Sequence, residues 1–429
     1  MNFAHNPILA PDIFIPDVEA HVWEDGRMYL YGSFDIQGKA SFCSDVHHVY
    51  SSDDMIHWTD HGVVFSLADS TWAKDCGALY APDCAYRDGW YYLYYCVPDG
   101  RNGVAKSQSP TGPFVDVGLL EGVWGIDPGV LIDDDGQAYL YWGQLTWGKV
   151  AKLKENMVEI EQDSIVECPL TVAEHEFHEG SSVKKINGKY YYLFADTHRH
   201  GDPDRPDGRP SCLGYAVSDH PMHGFRYGGV IIDNFGCDPG VWNNHGSMVC
   251  FKDQWYVFYH RSTHGADYSR HVCAEPIYFD ENGMIPEVKQ TTQGVGAPIK
   301  ASTLLPANLA CELSGNVRIA GDQESAHVLA LTEVHNGDTA TYRYLDFDGE
   351  NAFEIKLCAN ANCRVELYLD GNYHADFKVA ASDAYATARA SIAPIFGTHE
   401  LTIKLFGKFT RAAIDEFCFD KEQEKYENL

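Results

Sequence analysis

Three carboxylic acids and a histidine occupy the same place in a repeated pattern. Asp17, Asp127, Glu179 and His245 each stand nine residues before a turn position, and Tyr80 takes that place in a fifth copy. The turn positions are Gly26, Gly89, Gly136, Gly188 and Gln254, each leading into an aromatic strand such as Met28-Tyr29-Leu30-Tyr31 or Trp90-Tyr91-Tyr92-Leu93-Tyr94. Two carboxyl groups that face each other, one protonated and one ionised, can protonate a leaving oxygen and activate water. That is the chemistry that splits a glycosidic bond. A third carboxylate beside them raises the pKa of the acid that must keep its proton near neutral pH.

Such groups act together only if the fold brings the repeats to one point. Each copy reads as a strand, a short turn and a second strand of alternating aromatics, which is a β-hairpin signal. Successive turns are roughly 47 to 66 residues apart, room for a four-stranded sheet in each unit. Five such units predict an all-β chain built on a five-bladed β-propeller, whose inner strands carry the equivalent residues to a common axis. The composition shifts after the fifth unit. All nine Trp lie between Trp23 and Trp255, and the tail offers short alternating strands such as Ala352-Phe353-Glu354-Ile355-Lys356-Leu357. The expected organisation is a propeller over residues 1–297 and a β-sandwich over 304–429.

Composition narrows the partners. A formal net charge of -30 over 429 residues opposes binding to nucleic acid or anionic lipid and leaves a neutral sugar compatible. No apolar run approaches the roughly 20 residues that cross a bilayer, and the first residues lack the basic and apolar regions of a secretory signal. Thirteen Cys, an odd number without a CxxC array, read as reduced, packed thiols of a cytoplasmic protein.

The motifs Pro16-Asp17-Val18-Glu19-Ala20-His21-Val22, Tyr80-Ala81-Pro82-Asp83, Gly125-Ile126-Asp127-Pro128-Gly129-Val130, His178-Glu179-Gly180-Ser181-Ser182 and Asn244-His245-Gly246-Ser247-Met248 together resemble glycoside hydrolase family 43. The resemblance spans about residues 7–285. It implies that Asp17 is the general base, Asp127 tunes and orients the acid, and Glu179 is the general acid of a hydrolysis with inversion. It also implies a calcium ion near the axis with His245 as ligand or neighbour, and an Arg near the substrate at Arg270. One departure is Val18, where the family often has Pro after the base. The expected substrate is an oligosaccharide, arabinoxylan or xylan fragments losing α-L-arabinofuranosyl units. The alternatives are β-xylosidase or dual activity, an endo-arabinanase, and a non-catalytic sugar-binding propeller.

Other polar clusters read differently. Asp133, Asp134 and Asp135 lead into Gly136 as a solvated turn. His175-Glu176-Phe177-His178-Glu179 lacks the HExxH spacing of a zinc helix. Trp72 is a candidate platform for a sugar face. The polar, Pro-rich residues 196–206 read as a rim loop. In the tail, Asp338-Thr339-Ala340-Thr341-Tyr342-Arg343-Tyr344 and Ile414-Asp415-Glu416-Phe417 resemble a family-6-type carbohydrate-binding module, expected to buttress the propeller or to retain little sugar affinity.

Overall fold

The computed structural model describes residues 5–199, 211–241 and 243–422. Blade I is β1 (Glu19–Val22), β2 (Met28–Gly32), β3 (Val46–Ser52) and β4 (Trp58–Ser66). Blade II is β5 (Asp83–Arg87), β6 (Trp90–Cys96), β7 (Arg101–Ser107) and β8 (Val115–Trp124). Blade III is β9 (Gly129–Ile132), β10 (Ala138–Trp142), β11 (Lys149–Leu153) and β12 (Val166–Glu167). Blade IV is β13 (Phe177–Ile186), β14 (Lys189–Asp196), β15 (Cys212–Ser218) and β16 (Arg226–Asp233), and blade V is β17 (Ser247–Phe251), β18 (Gln254–Thr263) and β19 (Ala266–Ile277). The inner strands touch in a closed ring, β1 with β5, β5 with β9, β9 with β13, β13 with β17 and β17 with β1. The five-bladed propeller is therefore formed.

The aromatic alternation has a direct purpose. Side chains of a strand point alternately to its two faces, so each blade offers one apolar face to each neighbour, and the core is divided among the five blade junctions. Tyr31 and Tyr95 pack between blades I and II, Tyr94 and Trp142 between II and III, Tyr141 and Tyr192 between III and IV, Tyr215 and Tyr259 between IV and V, and Leu30 and Phe258 between V and I.

Two expectations need correction in blade V. Its sheet has three strands, not four. The outer edge is closed by the N-terminal segment: Ile8 N donates to Val272 O at 3.1 Å, and the buried Asn6 side chain bridges Ala274 and Thr291. The chain leaves β19 for the C-terminal sheet, so the remaining edge is satisfied by residues from the other end of the sequence. The inner hairpin also turns one residue earlier than Gln254, on Lys252 and Asp253 with φ of 50° and 64°. Asp88 and Gly89, and Asn187 and Gly188, take the same pair of positive φ values in blades II and IV, the geometry that matches strand twist.

Ten strands, β20 (Ile299–Lys300), β21 (Leu305–Pro306), β22 (Glu312–Ser314), β23 (Arg318–Gly321), β24 (Leu329–Thr332), β25 (Thr339–Ala359), β26 (Cys363–Leu369), β27 (Asn372–Val379), β28 (Ser382–Gly407) and β29 (Ala412–Asp420), form one sheet. β25 and β28 are 21 and 26 residues long, and their pairing shifts register between Tyr342 and Leu345 and again around Glu350. Bulges bend a strand, and the sheet surrounds a single core that includes Tyr342, Phe353, Phe417 and Phe419, consistent with a β-sandwich. It rests on blade V: Leu313 N donates to Gly236 O at 2.7 Å, His264 N to Ile319 O at 2.8 Å, and Thr292 Oγ1 to Leu309 O at 3.0 Å. Among the described residues no helix is long and apolar enough to cross a membrane.

Within the ring of inner strands, charge holds the blades together. Lys184 of β13 donates to Glu19 of β1 at 2.5 Å, with Ser182 on the same carboxylate at 3.0 Å. Asp83 of β5 accepts from Val130 N at 2.6 Å and pairs with His21 at 2.8 Å, tying blades I, II and III. Burial pushes the Glu19 pKa up to about 7 against the opposing pull of Lys184. Removing one partner of a buried ion pair costs more than removing both. Lys184→Met is accordingly expected to lower the unfolding free energy by about 3–5 kcal/mol, and adding Glu19→Gln to recover part of it. Urea denaturation checks this, and an unchanged midpoint in the single variant contradicts it.

Candidate active site

The residues in phase along the sequence converge at one end of the axis. Asp17 lies two residues before β1, Asp127 two before β9 and His245 two before β17, whereas Glu179 sits inside β13 at a break in its pairing with β14. Asp17 and Asp127 both adopt positive φ, 56° and 58°, a conformation Asp tolerates better than most residues. Gly180 follows the Glu with φ of 84°, and a Cβ there would meet the His245 ring at 3.1 Å. Glycine is required for imidazole and carboxylate to share the space. Gly129 serves closer in, since a Cβ on it would stand 1.7 Å from the Ser181 carbonyl.

These groups line a cavity of about 270 Å³ together with Phe42, Tyr80 and Ile126. Asp17 is 7% exposed. Arg270 Nη1 donates to its Oδ1 at 2.9 Å, and the imidazoles of His260 and His245 stand 3.5 and 3.8 Å away. Burial favours the neutral acid, but the Arg270 guanidinium with His245 and His260 outweighs it and holds the Asp17 pKa below the usual carboxylate value. Asp127 behaves oppositely. Burial, then the charges of Glu179 and Asp17, push its pKa well above the ordinary range. The cluster therefore favours the ionised form at Asp17 and the protonated form at Asp127. Glu179 is the most open of the three acids, its side chain 25% exposed, and Gln144 donates to its Oε2 at 3.1 Å.

Arg270 is where the sequence places it, and its donors are committed to carboxylates. Nε and Nη2 bond Asp35 at 2.9 and 3.0 Å while Nη1 holds Asp17. Asp35 is buried and also accepts from Cys43 N at 3.1 Å, fixing the loop whose Phe42 ring lies 5.0 Å from the Arg270 guanidinium carbon. Sequence reasoning missed Asp35, Phe42, Gln144 and His260, which fall in loops or on strands outside the repeated motif position. A partial signal existed for His260, the polar residue that follows the aromatic run ending at Tyr259.

Trp72 is not among the residues lining this cavity. Its ring stacks on Tyr95 at 5.9 Å, sits 5.0 Å from the Arg101 guanidinium carbon and closes over Gly103. It is packing between blades I and II, where an aromatic beside a glycine fills the space the missing side chain leaves. Of residues 196–206, His198 stacks on Tyr227 and Arg199 pairs with Asp233 and Glu287. Residues 200–206 lie outside the described residues.

Calcium takes six to eight oxygen ligands. Asp127 Oδ2 is buried without a hydrogen-bond partner, 3.8 Å from His245 Nδ1, so a cation is compatible there. The oxygens beside His245 nevertheless belong to the acid cluster itself, and the one close group of three potential ligands among the described residues is Glu19, His21 and Asp83. The residues fit a mostly hydrated ion and not a protein cage.

The chain matches the profile of glycosyl hydrolases family 43 over residues 4–285. A xylosidase/arabinosidase of Thermoclostridium stercorarium is 29% identical across 92% of this chain and 94% of its own. An α-L-arabinofuranosidase structure from Clostridium thermocellum is 34% identical, with a TM-score of 0.53 over 65% of this chain and 95% of that one. An arabinoxylan arabinofuranohydrolase of Bacillus subtilis, solved with cellotetraose, shares the fold over 97% of both chains at a TM-score of 0.58 and 24% identity. With its propeller, its axial acids and a family match over most of its length, this chain belongs to glycosyl hydrolase family 43 and is a glycosidase.

Proposed function

We propose that this enzyme removes terminal α-L-arabinofuranosyl units from arabinoxylan-derived oligosaccharides by a single displacement with inversion. The observation that carries the reading is the meeting of Asp17, Asp127 and Glu179, from three different blades, in one small cavity that favours an ionised Asp17 and a protonated Asp127. A cavity of about 270 Å³ suits a terminal sugar better than an extended chain. Relatives described as xylosidase/arabinosidase and arabinoxylan arabinofuranohydrolase support the substrate class. β-Xylosidase activity in the same pocket is the second reading, favoured by relatives that carry both names. Thirteen Cys, an odd number without a CxxC array, support action in a reducing compartment on short fragments.

In this mechanism Asp17 takes the proton of a water that attacks the anomeric carbon. Arg270 keeps the base ionised despite its burial. Glu179, its Oε2 held by Gln144, protonates the departing oxygen. Asp127 lies beside Glu179, and repulsion between the two carboxyls keeps one proton in the pair, which Glu179 delivers as the acid. A hydrated calcium ion on His245 would add positive charge next to Asp17 and Asp127.

Assays on p-nitrophenyl α-L-arabinofuranoside and β-D-xyloside test the assignment. Arabinose release is expected to dominate and to fall about 10²–10⁴-fold in Asp17→Asn. Glu179→Gln is expected to lose a similar factor on oligosaccharides, yet to retain much of its rate on a dinitrophenyl glycoside that needs no acid; equal losses on both would remove Glu179 from the acid role. Dominant xylose release would keep the mechanism and change the substrate.

The pH profile follows from the same charges. Without the guanidinium, burial is unopposed by its strongest counterion and the Asp17 pKa rises. The base is then protonated at higher pH, so the acidic limb of kcat/KM should move upward in Arg270→Ala. An unmoved limb would show that Arg270 does not set the base. Repeating the wild-type profile after chelation, with and without added calcium, tests the ion, which is expected to raise the rate; identical profiles would dismiss it.

A further inference from the structure

β18 and β19 present different residues to two cavities. His260 and Arg270 face the acid cluster, whereas their chain neighbours Arg261 and His271 line a second cavity of about 290 Å³ between blade V, the N-terminal segment and the C-terminal sheet. Arg261 and His271 are direct cross-strand partners, which places their Cβ atoms roughly 4.5–5.5 Å apart. Pro7, Leu9, Pro306, Leu309, Ile319 and Leu329 supply apolar walls.

The polar groups in this cavity are incompletely matched. Arg261 is 3% exposed, and it donates from Nη1 to Ala310 O and from Nε to Cys273 Sγ, both at 3.1 Å. No carboxylate among the described residues pairs with it. Glu275, an acid that feels its charge, is already bonded by Asn6, Tyr259 and Thr291. His271 Nδ1 donates to Ile13 O at 3.1 Å, which leaves Nε2 as a buried acceptor without a partner, and the buried Ser262 Oγ is likewise unpartnered. A buried guanidinium without an anion is costly, and a sugar would find too little polar surface on the apolar walls.

We propose that this interdomain cavity binds a small hydroxylated monocarboxylate with an apolar body. Its carboxylate would pair with Arg261, its hydroxyl would donate to His271 Nε2, and its body would lie against the proline and leucine walls. Because the occupant touches the N-terminal segment, blade V and the C-terminal sheet at once, binding stabilises their assembly by mass action.

The probe is 4-hydroxybenzoate, followed by calorimetry and thermal unfolding of the full chain. It is expected to bind and to raise the melting temperature, more strongly than benzoate, which lacks the hydroxyl, and far more strongly than 4-hydroxybenzamide, which lacks the charge. Val328 at the mouth is 53% exposed. Val328→Trp is expected to abolish binding while leaving aryl-glycoside hydrolysis unchanged, and Pro11→Trp, also at an exposed lining position, serves if the first variant does not fold. Absence of binding at millimolar concentration, equal binding of the amide, or undiminished binding by a folded mouth variant would each overturn the proposal. None of these outcomes depends on which glycoside the enzyme cleaves.

Discussion

The structure depends on burying like charges at one point and neutralising them selectively. Five inner strands bring Asp17, Asp127 and Glu179 together with the first two buried, and burial alone would protonate those two acids. Arg270 prevents this for Asp17. Its other donors are held by Asp35, so the guanidinium is fixed before substrate arrives. Further along the ring Lys184 bonds Glu19 and opposes, without outweighing, the effect of burial on that acid. Blades, site and electrostatics are therefore one problem: blades I, III and IV each contribute a carboxyl to the cluster, and blade V contributes the cation that restrains it.

Much of this was legible because a repeat converts spacing along the chain into proximity at an axis. Asp17, Asp127, Glu179 and His245 share a phase, and the propeller brings that phase together. What was not legible lacks a local signal. Trp72 is an isolated ring between Phe65 and Tyr80, with no pattern to reveal which neighbour it will face, and it packs over Gly103. Asp35 and Arg270 are 235 residues apart, and nothing near either announces the other. The closure of blade V by Asn6 is equally remote, 268 residues from Ala274. The hairpin pairs that the turn residues specify were visible; the contacts that join the two ends of the chain were not.

The C-terminal sheet meets the connection that follows blade V through β25. Arg343 O accepts from Thr292 and Gln293, and its side chain pairs with Glu312 and Glu400. Tyr342, one of the residues on which the resemblance to a binding module rested, is fully buried with its hydroxyl on Ala307 O, so it cannot stack on a sugar. Alternation of side chains on β18 and β19 lets the same two strands support Asp17 on one face and the interdomain cavity on the other. The packing of the second domain is thus mechanically close to Arg270 while sharing no lining residue with the acid cluster.

In the proposed mechanism Asp17 activates water directly against the sugar while Glu179 protonates the leaving oxygen, with no covalent glycosyl-enzyme between them. Proton NMR of the first anomer released from an aryl α-L-arabinofuranoside, recorded before mutarotation, tests it most directly. The account predicts that β-L-arabinose appears first and the α-anomer only with equilibration. Initial release of the α-anomer would mean retention, a carboxylate acting as nucleophile, and a different division of roles among the three acids.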